Sequence, residues 1–335
     1  MLEPPARSND LPLHLKVLKS TQKPSMPRPN PKQDKRAKPQ PVPPDVVSPA
    51  WLVKAIAGTI FAALFCGYLT FCLLFYQGQW QLVLHPTRTS SNPPSIAGIP
   101  YEPIRFGPDE SAIPQLTGWW IPSESGGRYA HITILFLPDG NGSLADSIPT
   151  LASLHNLGLN VFAIDYRGYG QSAALRPGQQ TMTHDAESAL QYLSTSRATP
   201  ATQIIPYGTG IGAPLATHLA SSNPTIPAII LDSPRADLLD VAIHDPRATL
   251  IPVRLLFHER FPLAEPISTL RTPKLLLSRT TSLYPAFSTA SDPKLTVELT
   301  SPSSLLYNQS LTRFLDQYLP LAPLPPLVPS TAPAR

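Results

Sequence analysis

The sequence has 335 residues, 43 prolines and a net charge of +4, a length that fits one α/β domain with flanking segments. The basic charge is confined to residues 1–54, which contain ten Lys/Arg and four Asp/Glu, so the rest of the chain carries −2. Because this basic segment lacks interleaved aromatic side chains and borders an apolar run, we expect no nucleic-acid partner.

Residues 1–50 and 320–335 are predicted to be disordered tails. Twelve prolines fall between Pro4 and Pro49, and six more follow from Pro320 onward. Such segments bury too little apolar surface to offset the conformational entropy lost on folding. The first tail is rich in lysine as well as proline, and beyond its positive charge near a membrane it carries no motif.

The apolar segment Ala55–Tyr76 contains 22 residues without a charge. As a helix it would measure about 33 Å, enough to cross a hydrocarbon core of about 30 Å. We therefore predict a transmembrane helix over residues 51–77, with Trp51 and Tyr76 as interfacial anchors. A cleaved signal peptide and a buried core helix are the alternatives, but the run is long for the first and has no amphipathic stripe for the second.

The charge distribution around this helix predicts its topology. Lys and Arg are concentrated on its N-terminal side, so the positive-inside rule places the N-terminus in the cytoplasm and the later domain on the extracytoplasmic side of the cell (inner) membrane. Cys66 and Cys72, the two cysteines of the sequence, both lie inside the span. No disulfide is therefore predicted.

A connector over residues 78–100 leads into residues 101–319, where strand and helix patterns alternate. Such alternation predicts an α/β domain with a mostly parallel sheet, opened by an antiparallel pair at Tyr101–Phe106 and Gln115–Ile121. Residues 235–270 are predicted to form a less regular insertion before the strand that begins at Lys274. The central strands are predicted at His131–Leu137, Asn160–Ile164, Gln203–Pro206, Ala228–Leu231, Lys274–Leu277 and Lys294–Leu299. The helices are predicted near Ser143–Leu157, Thr183–Thr195, Ile211–Ser221 and Ser304–Leu319.

Two motifs carry a family resemblance. Asp-Tyr-Arg-Gly-Tyr-Gly-Gln-Ser, residues 165–172, follows a buried strand, and Gly-Thr-Gly-Ile-Gly, residues 208–212, links a strand to a small-residue helix. From about Ile96 to Leu319 the chain resembles the α/β-hydrolases, most closely a membrane-anchored branch akin to serine aminopeptidases and acyl-glycerol lipases. The resemblance implies the α/β-hydrolase fold, with no cofactor, and a nucleophile elbow of the form Gly-x-Ser-x-Gly. It also implies that the insertion over residues 235–270 forms a lid.

The resemblance also implies a catalytic triad, and none of its three positions holds the expected residue. The nucleophile position is Gly210, which has no side chain. The acid position falls at Ser282, and the loop that should hold the base contains Ser303, with no histidine after His258. Removing the nucleophile alone is nearly as damaging as removing the whole triad, so the sequence predicts a degenerate site.

Relocated residues are the alternative to a silent site. Thr209 is the fallback nucleophile, but a β-branched residue is poorly suited to the positive φ of an elbow. Asp232 is the fallback acid, displaced to the end of the previous strand, although a plain turn residue before proline is the better explanation of it. Ser233 offers another hydroxyl beside it.

The turn after the first long central strand is the predicted oxyanion loop. It contains Asp139, Gly140 and Asn141, and the resemblance implies that a backbone N–H from this turn binds the oxyanion, with Asp139 in place of a histidine. If the Asn141 and Ile211 N–H groups converge, part of the hole survives, although a carboxylate beside it would oppose an anion. The alternative is an ordinary turn in which Asp139 caps the next helix.

The sequence contains no metal-binding motif, and the spacing of the glycines in residues 208–212 differs from a dinucleotide fingerprint. Three hypotheses follow. The first is a single-pass membrane protein with a catalytically inactive hydrolase-like domain that binds a small acyl, lipid or peptide ligand, or a protein partner. The second is a working esterase, lipase or peptidase with relocated residues. The third is a structural anchor that acts through its proline-rich cytoplasmic tail.

Overall fold

The computed structural model describes residues 48–93, 95–124, 126–235, 238–279, 284–299 and 304–319. The chain forms two compact units, residues 1–59 and 60–335. The described part of the first unit is the beginning of helix α1 (Pro49–Gly78). Apart from residues 48–50, the two predicted tails lie outside the described residues.

Helix α1 is long and apolar enough to cross a membrane. None of its residues is buried, which weighs against the alternative of a core helix. It begins two residues before the predicted span, because Ser48 accepts the Trp51 N–H at its hydroxyl oxygen at 3.3 Å and proline at the first helical position has no N–H to satisfy.

An eight-stranded sheet forms the centre of the second unit, in the order β10-β9-β8-β7-β4-β6-β3-β2. Strand β3 is antiparallel to both β2 and β6. All other neighbouring strands of this sheet, in the order β6, β4, β7, β8, β9 and β10, pair in parallel. This arrangement confirms the predicted α/β class with a mostly parallel sheet. The strands are β1 (His85–Pro86), β2 (Glu102–Pro108), β3 (Pro114–Ile121), β4 (Thr133–Leu137), β5 (Asn141–Gly142), β6 (Asn160–Asp165), β7 (Ile204–Thr209), β8 (Ile229–Asp232), β9 (Lys274–Ser278) and β10 (Lys294–Glu298).

Helices cover both faces of the sheet. Successive residues of a strand point to opposite faces, so Leu135 and Leu137 of β4 belong to one buried cluster, and Ile134 and Phe136 belong to the other. The first cluster includes α3 and α4, and the second includes α2 and α9. The helices after α1 are α2 (Ile148–Asn156), α3 (Gln179–Thr195), α4 (Gly212–Ser222), α5 (Leu238–Ile243), α6 (Val253–Leu256), α7 (Ala264–Thr269), α8 (Pro285–Thr289) and α9 (Ser304–Tyr318).

Two segments outside the sheet bear on the site. Residues 235–270, predicted as a lid, contain the short helices α5, α6 and α7. Part of the segment 78–100, predicted as a connector, is built into the domain: Val83 and Leu84 are buried, and β1 pairs with β5 in parallel. The chain therefore passes directly from the end of α1 to the carboxyl edge of the sheet, where the sites of open α/β sheets lie.

Candidate functional site

The turn between β7 and α4 has the geometry of a nucleophile elbow. Gly210 lies at its apex with a φ of +54°, a conformation that glycine adopts without strain. The flanking glycines are required by close packing: a Cβ on Gly212 would lie 2.8 Å from the Leu137 carbonyl carbon, and one on Gly208 would lie 2.5 Å from Ala213 N. The crowding typical of an elbow is present, but the apex has no reactive side chain.

The carboxylate of Asp139 fills the space beside the apex. A Cβ added to Gly210 would lie 2.9 Å from Asp139 Cβ and closer still to the carboxylate. Real Cβ atoms do not approach other heavy atoms so closely, so Asp139 occupies volume that a side chain at position 210 would need. The absence of a side chain at Gly210 and the presence of Asp139 are therefore two parts of one packing arrangement.

Three donors converge on Asp139 Oδ1. They are the Ile211 N–H at 3.0 Å, the Gly140 N–H at 2.8 Å and Arg235 Nε at 3.0 Å. Arg235 Nη2 also donates to Asp139 Oδ2 at 2.8 Å, so the guanidinium forms the two-point contact that makes arginine–carboxylate pairs strong. An internal anion thus uses the Ile211 N–H, the group that would stabilise an oxyanion in an active relative.

The N–H from this turn that donates to Asp139 Oδ1 belongs to Gly140, one residue before the predicted oxyanion donor Asn141. Asn141 lies in β5, opposite His85 of β1, and its Oδ1 is 2.9 Å from His85 Nδ1. Gly140 supplies the second backbone donor instead. The cap of the following helical turn is Ser143, whose N–H donates to Asp146 Oδ2 at 2.8 Å, and not Asp139.

The segment that follows helix α1 forms one wall of this site. Arg235 Nη1 donates to Val83 O at 3.4 Å, and the His85 N–H donates to Gly140 O at 2.8 Å. Leu84 packs against Gly140, where an added Cβ would lie 2.8 Å from its side chain. Both members of the Asp139–Arg235 pair remain partly accessible, with side-chain exposures of 32% and 27%.

The fallback acid Asp232 belongs to a second ion pair at the same edge of the sheet. Its buried carboxylate accepts Arg279 Nε at 3.0 Å and Nη2 at 2.6 Å, and it also accepts the hydroxyls of Tyr207 at 2.9 Å and Ser233 at 2.8 Å. The hydrogen bond with Asp232 raises the pKa of Arg279 above its usual value, and burial raises the pKa of Tyr207. Both oxygens of the Asp232 carboxylate therefore accept hydrogen bonds from arginine, tyrosine and serine side chains, none of which is the histidine base that the acid of a triad orients.

The remaining predicted residues are distributed as follows. Thr209 ends β7 and pairs in register with Asp232. Ser282 and Ser303 lie outside the described residues. His258 bonds to Gln79 and His218 to Glu187. Among the residues that the structure describes, no group of three His, Cys, Asp or Glu side chains could hold a metal.

Sequence reasoning missed Arg235 and Arg279, the two cations that neutralise the site. Each follows the end of a buried strand, β8 or β9, at the edge where sites of this class lie. That position is the signal that could have identified them. The Asp165 turn is also built as a structural element: burial raises the pKa of Asp165 to about 6, and the Ser172 hydroxyl donates to Asp165 O at 2.6 Å.

Comparison with known proteins agrees with this architecture. The chain resembles the Pyrococcus furiosus esterase Pf2001, with a TM-score of 0.54 over 71% of this chain and 98% of that chain. At 18% identity this similarity concerns the fold alone. The uncharacterized protein Rv2307c of Mycobacterium tuberculosis is 33% identical over 165 residues, 49% of this chain and 56% of that protein.

Protein bem46 of Schizosaccharomyces pombe is 32% identical over 111 residues, which cover 32% of this chain and 37% of that protein. The chain thus spans about half, or less, of the length of the curated relatives it matches. A family model described as "Serine aminopeptidase, S33" matches residues 133–301, which is half of the chain. The chain belongs to this serine aminopeptidase family of α/β-hydrolases.

Proposed function

We propose that this chain is a membrane-anchored α/β-hydrolase-like protein that acts by binding a ligand or a partner and does not carry out serine-hydrolase chemistry. The observation that supports this most directly is the Asp139 carboxylate, which packs against Gly210 and accepts the Ile211 N–H at 3.0 Å. In a working elbow, a hydroxyl would project from position 210, and a developing oxyanion would accept the N–H of residue 211.

The size of the expected loss follows from enzymes that have been dissected. Removal of the nucleophile costs roughly a factor of 10⁶ in kcat, and removal of one oxyanion donor costs roughly 10²–10³. Here the nucleophile is absent at Gly210, and the Ile211 N–H already has an acceptor. The Asp139 carboxylate would also repel the negative charge that develops in acyl transfer.

The proposed location is the cell (inner) membrane, with α1 as a single-pass anchor, the N-terminus in the cytoplasm and the hydrolase-like domain outside. The length and apolarity of α1 support the anchor, and the basic residues before it support the orientation. A cleft of about 720 Å³ beside the end of α1, lined in part by Tyr76, Arg176, His184 and His258, offers space for a small acyl, lipid or peptide ligand.

A working hydrolase with a relocated hydroxyl is the second candidate, favoured by one observation at Ser233. This residue has a φ of +49°, unusual for a residue other than glycine, and its hydroxyl donates to Asp232 Oδ1 at 2.8 Å. However, the described partners of Asp232 and Ser233 include no histidine that could take a proton. A structural anchor that acts through residues 1–50 remains the third candidate, and deletion of that tail tests it.

Turnover by the full-length protein in lipid nanodiscs tests the proposal. Short-chain p-nitrophenyl esters and aminoacyl-p-nitroanilides are the substrates, an active esterase is the positive control, and Ser233→Ala is the matched variant. We expect no protein-dependent turnover by either form. Turnover that disappears in Ser233→Ala would establish the second candidate, and turnover that persists in this variant would also overturn the proposal. Resistance of the protein to carbonate extraction from membranes tests the anchor separately.

A further inference from the structure

The end of the membrane helix is fixed to the lid segment by hydrogen bonds. Gln79 is fully buried, and its Nε2 donates to Leu256 O at 3.1 Å and lies 2.7 Å from His258 Nδ1. Its Oε1 accepts the His258 N–H at 2.8 Å. The ring centroids of Tyr76 and His258 are 4.7 Å apart, so residues 256–258 of the lid lie beside the last turn of α1.

A second connection joins the same helix end to the loop between β6 and α3. Arg176 Nη1 donates to Gln77 Oε1 at 3.1 Å, and the half-buried Phe75 and Trp80 pack against the core of the domain. The last turn of α1 therefore contacts the domain on several sides. Such a multiple attachment holds this surface of the domain at a set distance from the point where the helix ends.

Exposed leucines and arginines lie in the two segments that make these contacts, the lid and the loop between β6 and α3. We call six of these residues the lid patch: Leu175, Arg176, Leu250, Arg254, Leu255 and Arg260. Leu175 is 49% exposed, Leu250 is 67% exposed and Leu255 is 83% exposed. The three arginines are also exposed. Among the described residues, no carboxylate forms an ion pair with these arginines. A surface that combines exposed leucines with uncompensated cations is typical of proteins that lie on anionic membranes.

We propose that the lid patch lies in the headgroup region of the bilayer that α1 enters, with its leucines at the acyl-chain boundary and its arginines on anionic lipid headgroups. This inference rests on the proposed anchoring of the chain by α1. Tyr76 marks the expected end of the hydrocarbon core, and the headgroup region extends about 5–8 Å beyond that level. Leu255 adjoins Leu256, whose carbonyl accepts Gln79 Nε2 directly after the helix, so Leu255 is the patch residue that we expect in this layer.

In this placement the carboxyl edge of the sheet lies against the bilayer. The lid follows β8, and the loop that contains Leu175 follows β6, so both belong to the carboxyl edge of the sheet. The edge with the Asp139–Arg235 pair therefore faces the lipid, and the amino edge faces away from it. A ligand of the site would then approach from the bilayer surface.

Fluorescence quenching by spin-labelled lipids tests the proposal in the full chain. Cys66→Ser and Cys72→Ser remove the native thiols, and a single environment-sensitive dye is attached at Leu255→Cys or, in a second variant, at Leu250→Cys. The matched control is Ser222→Cys, an exposed position at the end of α4, which lies at the opposite edge of the sheet. Each protein is reconstituted in vesicles of phosphatidylcholine with and without phosphatidylglycerol.

We expect blue-shifted emission and quenching by headgroup-proximal nitroxides at positions 250 and 255, with neither effect at position 222. The quenching should increase with phosphatidylglycerol, and Arg254→Gln combined with Arg260→Gln should abolish that increase. Protein that floats with the vesicles while its labels at 250 and 255 behave like the label at 222 would overturn the lid patch and leave the anchor intact. Protein that fails to float would overturn the anchor instead.

Discussion

The ion pair between Asp139 and Arg235 gives the sharpest quantitative prediction. Arg235 contacts the carboxylate at two points, 3.0 Å and 2.8 Å, and the side chains are 27% and 32% exposed. Exposed pairs are worth about 0.2–1 kcal/mol, whereas breaking a fully buried pair costs about 3–5 kcal/mol. For this half-buried pair we expect a coupling free energy of about 1–2 kcal/mol.

A double-mutant cycle measures this coupling. The variants are Asp139→Asn, Arg235→Met and the two combined, and the unfolding free energy is measured by urea titration of the domain fluorescence in the full chain in micelles. The single changes should each destabilise the domain, and the double variant should be less destabilised than their sum. The control cycle uses Arg128 and Asp316, a more exposed pair at 55% and 32%, for which we expect coupling below about 1 kcal/mol.

Additive effects of the two single changes would refute the reasoning. In that case Arg235 and Asp139 would not stabilise each other, and the ion pair would not be what holds the carboxylate at the elbow. Coupling that disappears in high salt would place the pair among fully exposed ones, because salt screens exposed charges far more than buried ones.

Two further predictions concern neighbouring positions. Gly210→Ala should destabilise the domain by about 1–3 kcal/mol in thermal unfolding, because the φ of +54° strains any residue with a Cβ and because that Cβ would collide with Asp139. In an Asp139→Gly background the loss of stability should be smaller. Equal losses in both backgrounds would contradict the packing argument. Burial raises the pKa of Asp165 to about 6, so between about pH 4 and pH 6 the folded state binds more protons than the unfolded state, whose carboxyl titrates near 3.9. The difference in unfolding free energy between the wild type and Asp165→Asn should therefore fall as the pH rises through this window. At 1.36 kcal/mol per pKa unit, the fall amounts to at most about 3 kcal/mol. A rise of this difference with pH would show that the folded state stabilises the carboxyl as an anion.

The sequence predicted the framework well because its signals are local. Short β-branched runs and glycine-rich turns located the central strands within a few residues, although β7 runs on to Thr209, three residues beyond its predicted end. Glycine at positions 208 and 212 also identified the elbow, since the backbone packs too closely there for a Cβ. Patterns of this kind depend on neighbours in the chain, which a single sequence displays.

The contents of the site could not be predicted because they depend on long-range pairing. Arg235 reaches Asp139 across 96 positions of the sequence, and no local pattern specifies that contact. The sequence predicts a connector over residues 78–100 and assigns no role to Val83 and Leu84. Only the tertiary structure shows that they pack beside Gly140 and Arg235.

The most direct test of the central claim is intact-mass spectrometry of the full chain after exposure to a fluorophosphonate, which forms a covalent adduct with activated serines. We expect an unchanged mass at probe concentrations that label an active esterase completely. A stoichiometric adduct on any hydroxyl of the domain would show that the domain has an activated nucleophile, and peptide mapping of that adduct would identify the residue.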